Sequence, residues 1–168
     1  GIGQVVIFAN RGLGQMELRL DANDSLKPEQ AVMGFFAGGD ALTPKLATSS
    51  MEWQQDRWYH LIVKREANTT VVMYRDGVEI ARGPVPEGND APDKRIALGY
   101  RPLDNVMPLS GGVDDFRLYG RALSSFEVAQ LHTLETPPAP VIVTPPASVN
   151  ALAGQNVNFN ATVTGATD

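Results

Sequence analysis

Residues 110–131, SGGVDDFRLYGRALSSFEVAQL, constrain the fold of this chain more than any other stretch. From Val113 to Tyr119 apolar and polar side chains interleave in the manner of a half-buried strand, and Gly120 breaks the pattern. Ser124 followed three residues later by Glu127 is a capping box, in which the serine oxygen and the glutamate carboxylate each satisfy an orphan backbone N–H. Val128 and Leu131, with Phe126, can then face a sheet. A helix this short does not hold by itself and must be docked by packing. The stretch asks for a sheet with a helix laid on it, and it carries no catalytic group of its own.

The preceding residues supply the strands. Val5, Val6, Ile7 and Phe8 form a buried-strand run ending in Asn10-Arg11-Gly12. Met16, Leu18 and Leu20 alternate with Glu17, Arg19 and Asp21. The polar DANDSLKPEQ reads as a loop, and Val32 to Ala37 as a strand closed by Gly38-Gly39-Asp40. Tyr59–Arg65 and Thr70–Tyr74 are strands joined through Glu66-Ala67-Asn68. Asp76-Gly77 then supplies the positive φ angles that a tight primed hairpin turn demands. Many short strands at this spacing mean an all-β, antiparallel sandwich or barrel.

After Glu135 the character changes. TPPAPVIVTPP holds five prolines and reads as a stiff, extended spacer that is hard to pair in a sheet. Beyond it, ALAGQNVNFNATVTG alternates again, with Val157, Phe159, Ala161 and Val163 on one face. Two strands cannot bury a core, so this tail reads as the opening of a second β-domain.

Composition narrows the chemistry. With 168 residues and 43% hydrophobic content, the chain has material for one full core and a smaller second unit. The net charge of −5 and the scattered basic residues exclude a nucleic-acid footprint. No stretch approaches the roughly 20 apolar residues that span a bilayer, so no membrane insertion is expected, and the first residues lack a signal-peptide pattern. The absence of cysteine removes disulfides, thiolate metal sites and cysteine nucleophiles together.

WYHLIVKREANTTVVMYRDGVEIARG resembles the paired strands "W-H-x-hydrophobic… Y-x-D-G" of the laminin-G-like, concanavalin A-like jelly-roll domains. IALGY and then GGVDDFRLYGRALSSFEVAQL resemble that family's ending, a glycine-bearing strand followed by the closing helix. The resemblance covers residues 1–135 and implies an antiparallel jelly-roll β-sandwich with one short C-terminal helix. A Pro-rich linker over 136–146 follows, and residues 147–168 resemble the first strands of a bacterial immunoglobulin-like (Ig-like) β-sandwich, with Ala161 where some relatives carry the core cysteine. The jelly roll of this family begins with strands upstream of GIGQVVIFANRG, which this chain lacks. Two expectations follow: a segment of a longer multidomain surface protein, or a sandwich completed by a neighbour's strand added at the Val5–Phe8 edge.

The candidate site residues are few. Asp114 could offer an oxygen ligand to calcium, a hard cation that takes six to eight oxygens. Strand neighbours point to opposite faces, so Asp115 could not serve the same site. The competing reading has one carboxylate accepting backbone N–H bonds or pairing with Arg117 or Arg121. The resemblance implies a calcium site near a sheet rim, supported by an upstream Asp-bearing turn absent from this chain. Asp21, Asn23, Asp24 and Ser25 fail the EF-hand spacing, with Val32 where a glutamate is required. A glycosidase needs two converging carboxylates. The "E-x-D-x-x-E" strand of laminarinase-like relatives is missing, with Glu17 and Asp21 its nearest approach. His60 and His132 are too far apart in sequence for a metal pair, and His60 reads as a packing or hydrogen-bonding residue. The sequons at Asn68 and Asn160 carry no weight in a chain that reads as bacterial. Trp58 matches the family's strand-initiating tryptophan and reads as core, whereas Trp53 lies between surface ligand contact and rim packing.

These features lead to a non-catalytic binding module of a large secreted or cell-surface protein, recognising carbohydrate or an extracellular protein partner for adhesion or targeting. The expected ligand surface combines Trp53 with Tyr100, Arg101, Asp104 and Asn105, because long loops on a rigid sandwich carry recognition. No cofactor is expected beyond the calcium that Asp114 could help to bind. The alternative is a structural spacer or assembly subunit of an extracellular filament with no soluble ligand, self-associating through open sheet edges.

Overall fold

The computed structural model describes residues 4–10, 16–21, 31–37, 45–49, 51–54, 56–67, 69–84, 96–101, 108–136 and 140–165. The expected loop at 22–30, the closing Gly38-Gly39-Asp40, and Asn68, Asp104 and Asn105 lie outside these residues. The all-β, antiparallel expectation holds. Strands β1 (Gln4–Asn10), β2 (Met16–Asp21), β3 (Val32–Phe36), β4 (Leu46–Ala47) and β8 (Ile96–Leu98) form one sheet in the order β4-β3-β2-β1-β8. Strands β5 (Leu61–Glu66), β6 (Thr70–Arg75) and β7 (Val78–Pro84) form a second, in that order. The single helix α1 spans Ser125–Glu135.

The two sheets face each other across one core. Leu18, Met33 and Phe35 from the first sheet pack with Val71 and Met73 from the second, and Trp53 closes one side. Sequence parity puts Val72 and Tyr74 on the opposite face of β6, where Leu123 and Val128 cover them. β6 is therefore buried on both faces. That is why its run VVMY is continuously apolar rather than alternating. The second sheet is the middle of three layers, and each buried apolar side chain contributes about 1.5–3 kcal/mol.

The hairpin between β6 and β7 forms as expected, with Asp76 at φ 52° and Gly77 at φ 75°. The capping box is also present. Ser124 Oγ accepts from the Glu127 N–H at 3.2 Å, and Glu127 Oε2 accepts from the Ser124 N–H at 2.8 Å. Val128 is buried and Leu131 partly so. Phe126, expected on the sheet side, points away and is exposed. It precedes Val128 by two residues, about 200° around the helix, so the two cannot share a face.

Three further expectations are corrected. Residues 110–121 do not form a strand, and they are exposed throughout. A strand exists by virtue of its ladder, and no described strand pairs with this one. Asp115, at φ 49°, bends the segment instead. The edge expected to be open at Val5–Phe8 is closed from Ile7 onward, while among the described residues Val5 and Val6 pair on the β2 side alone. β2 pairs along one side of β1, and β8 takes the other from Phe8 onward, with the Gly99 N–H donating to the Ile7 carbonyl at 3.0 Å. Finally, the proline-rich stretch is not all spacer. The run between Pro140 and Pro145 forms β9 (Val141–Thr144), which pairs with β10 (Thr162–Thr164). Of the alternating tail only β10 is a strand, and Phe159 is exposed because no second layer among the described residues covers it.

Candidate functional site

Of the two tryptophans, Trp53 takes the rim-packing alternative and Trp58 departs from the core position expected of it. Trp53 is only 8% exposed, set edge-on to Tyr59 with ring centroids 4.9 Å apart. The Arg75 guanidinium lies 4.9 Å over its ring, and Arg75 Nη1 donates to the Glu52 carbonyl at 2.7 Å. Trp53 thus belongs to the rim of the core and offers no face to a ligand. Trp58 is 68% exposed. Its ring leans on Gly112, where a Cβ would stand 2.8 Å from ring atom Cη2. The missing side chain at Gly112 is what lets an indole lie there. Arg57, beside Trp58 in sequence, reaches Asp76 at 3.4 Å and keeps half its side chain in solvent. An exposed indole offers stacking area and one N–H donor.

The loop beyond β8 is fixed at its base. Gly99, at φ 75°, accepts at its carbonyl from the Leu109 N–H at 2.7 Å, and its own N–H is tied to β1. Tyr100 is exposed at the start of this loop and Arg101 is half-buried. The carboxylates that follow 110 are spent locally. Asp114 Oδ1 accepts from the Asp115 N–H at 2.9 Å, and Asp115 Oδ1 lies 3.4 Å from Arg117. Calcium needs six to eight oxygens. Among the described residues no group of three or more His, Asp or Glu side chains is placed to hold a metal ion. One oxygen of Asp114 is thus already engaged by the backbone of its own segment.

Glu17, the nearest approach to a glycosidase acid, is buried in β2 with Arg19 at 3.4 Å. A carboxylate so enclosed cannot meet a glycosidic oxygen.

One cluster was not legible in sequence. His60, at the entry to β5, places Nε2 3.0 Å from Glu135 Oε2 at the end of α1, and its ring centroid lies 5.6 Å from that of His132. Asp76 anchors the same point, accepting from the His60 N–H at 3.0 Å and donating its own N–H to the His60 carbonyl at 2.8 Å. Arg117 pairs with Glu135 from the other side. Burial pushes the His60 pKa below its ordinary value, Glu135 pulls it up, and His132 adds to the fall. At the helix start, Lys64 Nζ donates to the Leu123 carbonyl at 3.0 Å. Both ends of α1 are thus tied to β5. The i, i+3 spacing of His132 and Glu135 puts them on one helix face, but nothing in the sequence says that this face meets His60.

The family model of the concanavalin A-like lectin/glucanases superfamily, of laminin G type, matches residues 3–129. No curated protein matches the chain. Among solved structures, an S-layer domain-containing protein from Clostridium thermocellum (its residues 221–444) is similar to it, at 19% identity and a TM-score of 0.43. That similarity covers 79% of this chain and 64% of the solved one, so the chain matches less than two thirds of its neighbour's length.

Proposed function

Because the chain belongs to the concanavalin A-like lectin/glucanases superfamily, we propose that it is a non-catalytic binding module of a secreted or cell-surface protein, recognising carbohydrate for adhesion or for targeting an attached activity. The observation that carries this reading is Trp58, an indole held out in solvent on a glycine seat and next in sequence to Arg57, which pairs with Asp76. Sugar recognition combines an apolar ring face, satisfied by aromatic stacking, with hydroxyls satisfied by planar charged groups. Tyr100 and Arg101, with Asp104 and Asn105 next in sequence, are proposed as the polar part of the ligand surface. The enclosed state of Glu17 supports the non-catalytic part. The tail from 147 onward is proposed as the start of an Ig-like unit. Among the described residues no helix is long and apolar enough to cross a membrane.

A glycan array probed with the chain and with Trp58→Ala, each with and without EDTA, tests the reading. The expected result is a signal that Trp58→Ala removes. Silence across the array, or binding indifferent to Trp58, rules it out in favour of a protein partner. A signal lost in EDTA and in Asp114→Asn would assign calcium to Asp114.

A further inference from the structure

The end of α1 is where the chain leaves the sandwich. Its last residue, Glu135, is followed by Thr136 and by Pro137 and Pro138, the first prolines of the linker. Leu131 is packed against the second sheet, but Leu134 is exposed, so polar groups dock the final turn. His132 lies against the turn between β6 and β7, where a Cβ added at Gly77 would stand 3.2 Å from His132 Nδ1. His60 Nε2, at the entry to β5, donates to Glu135 Oε2 at 3.0 Å.

The His60 contact is suited to the neutral ring. A carboxylate only accepts, so Nε2 carries the proton and Nδ1 is bare. Nδ1 is buried and has no hydrogen-bond partner among the described residues. A second proton on the ring therefore places an N–H in a buried position without an acceptor. The titratable and charged groups that face the ring are His132 and Glu135 on α1, Asp76 on the β6–β7 turn, and Arg117 on the segment before α1. Glu135 and Asp76 favour an imidazolium, but both are shared, Glu135 with Arg117 and Asp76 with Arg57. Burial opposes the charge most strongly, and His132 and Arg117 add to that opposition. When the ring lets go, Glu135 keeps Arg117 as its partner, so no carboxylate is left stranded.

We propose that His60 is an acid-sensitive latch on the end of α1, and that a proton taken up at its Nδ1 releases Glu135 from β5 and loosens residues 132–136. The joint between sandwich and linker is then fixed at neutral pH and mobile in acid. The change is local. Leu123 and Val128 stay buried against β6, and Lys64 Nζ keeps its hold on the Leu123 carbonyl at 3.0 Å.

The test is an NMR titration of the chain from about pH 7.5 to about pH 5, above the ordinary carboxylate range. It follows the His60 ring nitrogens, the backbone carbon shifts of residues 132–136 and the amides of β6. The expected result is a His60 midpoint below its ordinary value near 6.5. The helical shifts of 132–136 are lost over the same interval, with β6 unmoved. His60→Gln keeps a side-chain N–H for Glu135 but takes up no proton, so it abolishes the transition. His132→Gln leaves the transition in place. Helical shifts that persist while His60 protonates overturn the proposal, and the parent chain alone decides this should a variant fail to fold. A midpoint above 6.5 also overturns it, because the imidazolium then tightens the contact. So does a transition that survives His60→Gln, or one that His132→Gln removes while His60 still titrates, since another group is then the trigger.

Discussion

β6 and β9 contain nearly the same kind of sequence and meet opposite fates. Val71, Val72, Met73 and Tyr74 are at most 3% exposed, whereas Val141, Ile142 and Val143 are each 58–61% exposed. Both are short apolar runs rich in β-branched residues, and both form strands. The difference lies in what surrounds them. β6 has a partner on each edge and a layer on each face, the first sheet on one side and α1 on the other. β9 has one partner, β10, and no layer among the described residues. Strand propensity makes a strand, but only a second layer turns it into stability.

The sharpest way to break this comparison is to truncate one side chain in each strand and follow urea unfolding. Met73→Ala removes a fully buried side chain and is expected to cost about 2–5 kcal/mol. Ile142→Ala is expected to stay within about 0.5 kcal/mol of the parent. Equal losses would mean that β9 is covered in solution. A smaller effect tests the layer that α1 provides. Ser124→Ala removes the cap and should cost about 1 kcal/mol, read as a lower Tm by circular dichroism.

The acid side of the stability profile follows from the same layer. His60 is held below its ordinary pKa, burial being the main cause, so the fold prefers it neutral. Its contribution is complete above its ordinary value near 6.5 and declines as pH falls through the folded value. His60→Gln should flatten the stability profile below that point. At lower pH the Glu127 carboxylate, drawn down to about 2 by Arg121 and then by Ser124, loses its contribution between its ordinary value near 4.5 and about 2. Glu127→Gln should remove that acid limb, and an unchanged profile would count against the capping box in solution. The smallest expected effect is local. Gly112→Ala places a methyl against the exposed indole, so the Trp58 emission should shift with no measurable loss of stability.

Much of the architecture was legible in the residues. The 76–77 turn, the capping box at Ser124 and the strands β2, β3, β5, β6 and β7 follow from short-range rules of φ, capping and period. The site was less legible. Trp58 was expected in the core, and Trp53 between surface ligand contact and rim packing. An indole carries the same apolar signal in either place, and what decided between them was glycine at 112 and arginine at 75, more than fifty and more than twenty positions away. The His60–Glu135 contact was missed for the same reason. Phe126 could have been placed correctly, since its angle from Val128 follows from helix geometry alone.

Residues 110–121 show where local reading stops. Their alternation specifies which side chains would share a face of a strand. It cannot specify a partner, because a β-ladder is made of hydrogen bonds between segments remote in sequence. By itself the sequence determined the class of fold, the turn chemistry and the capped helix, all set by interactions within a few residues. Only the tertiary structure decided which apolar runs were covered, which tryptophan met solvent and which strand lacked a neighbour. Burial and pairing depend on the layers and edges brought alongside, and no local rule contains them.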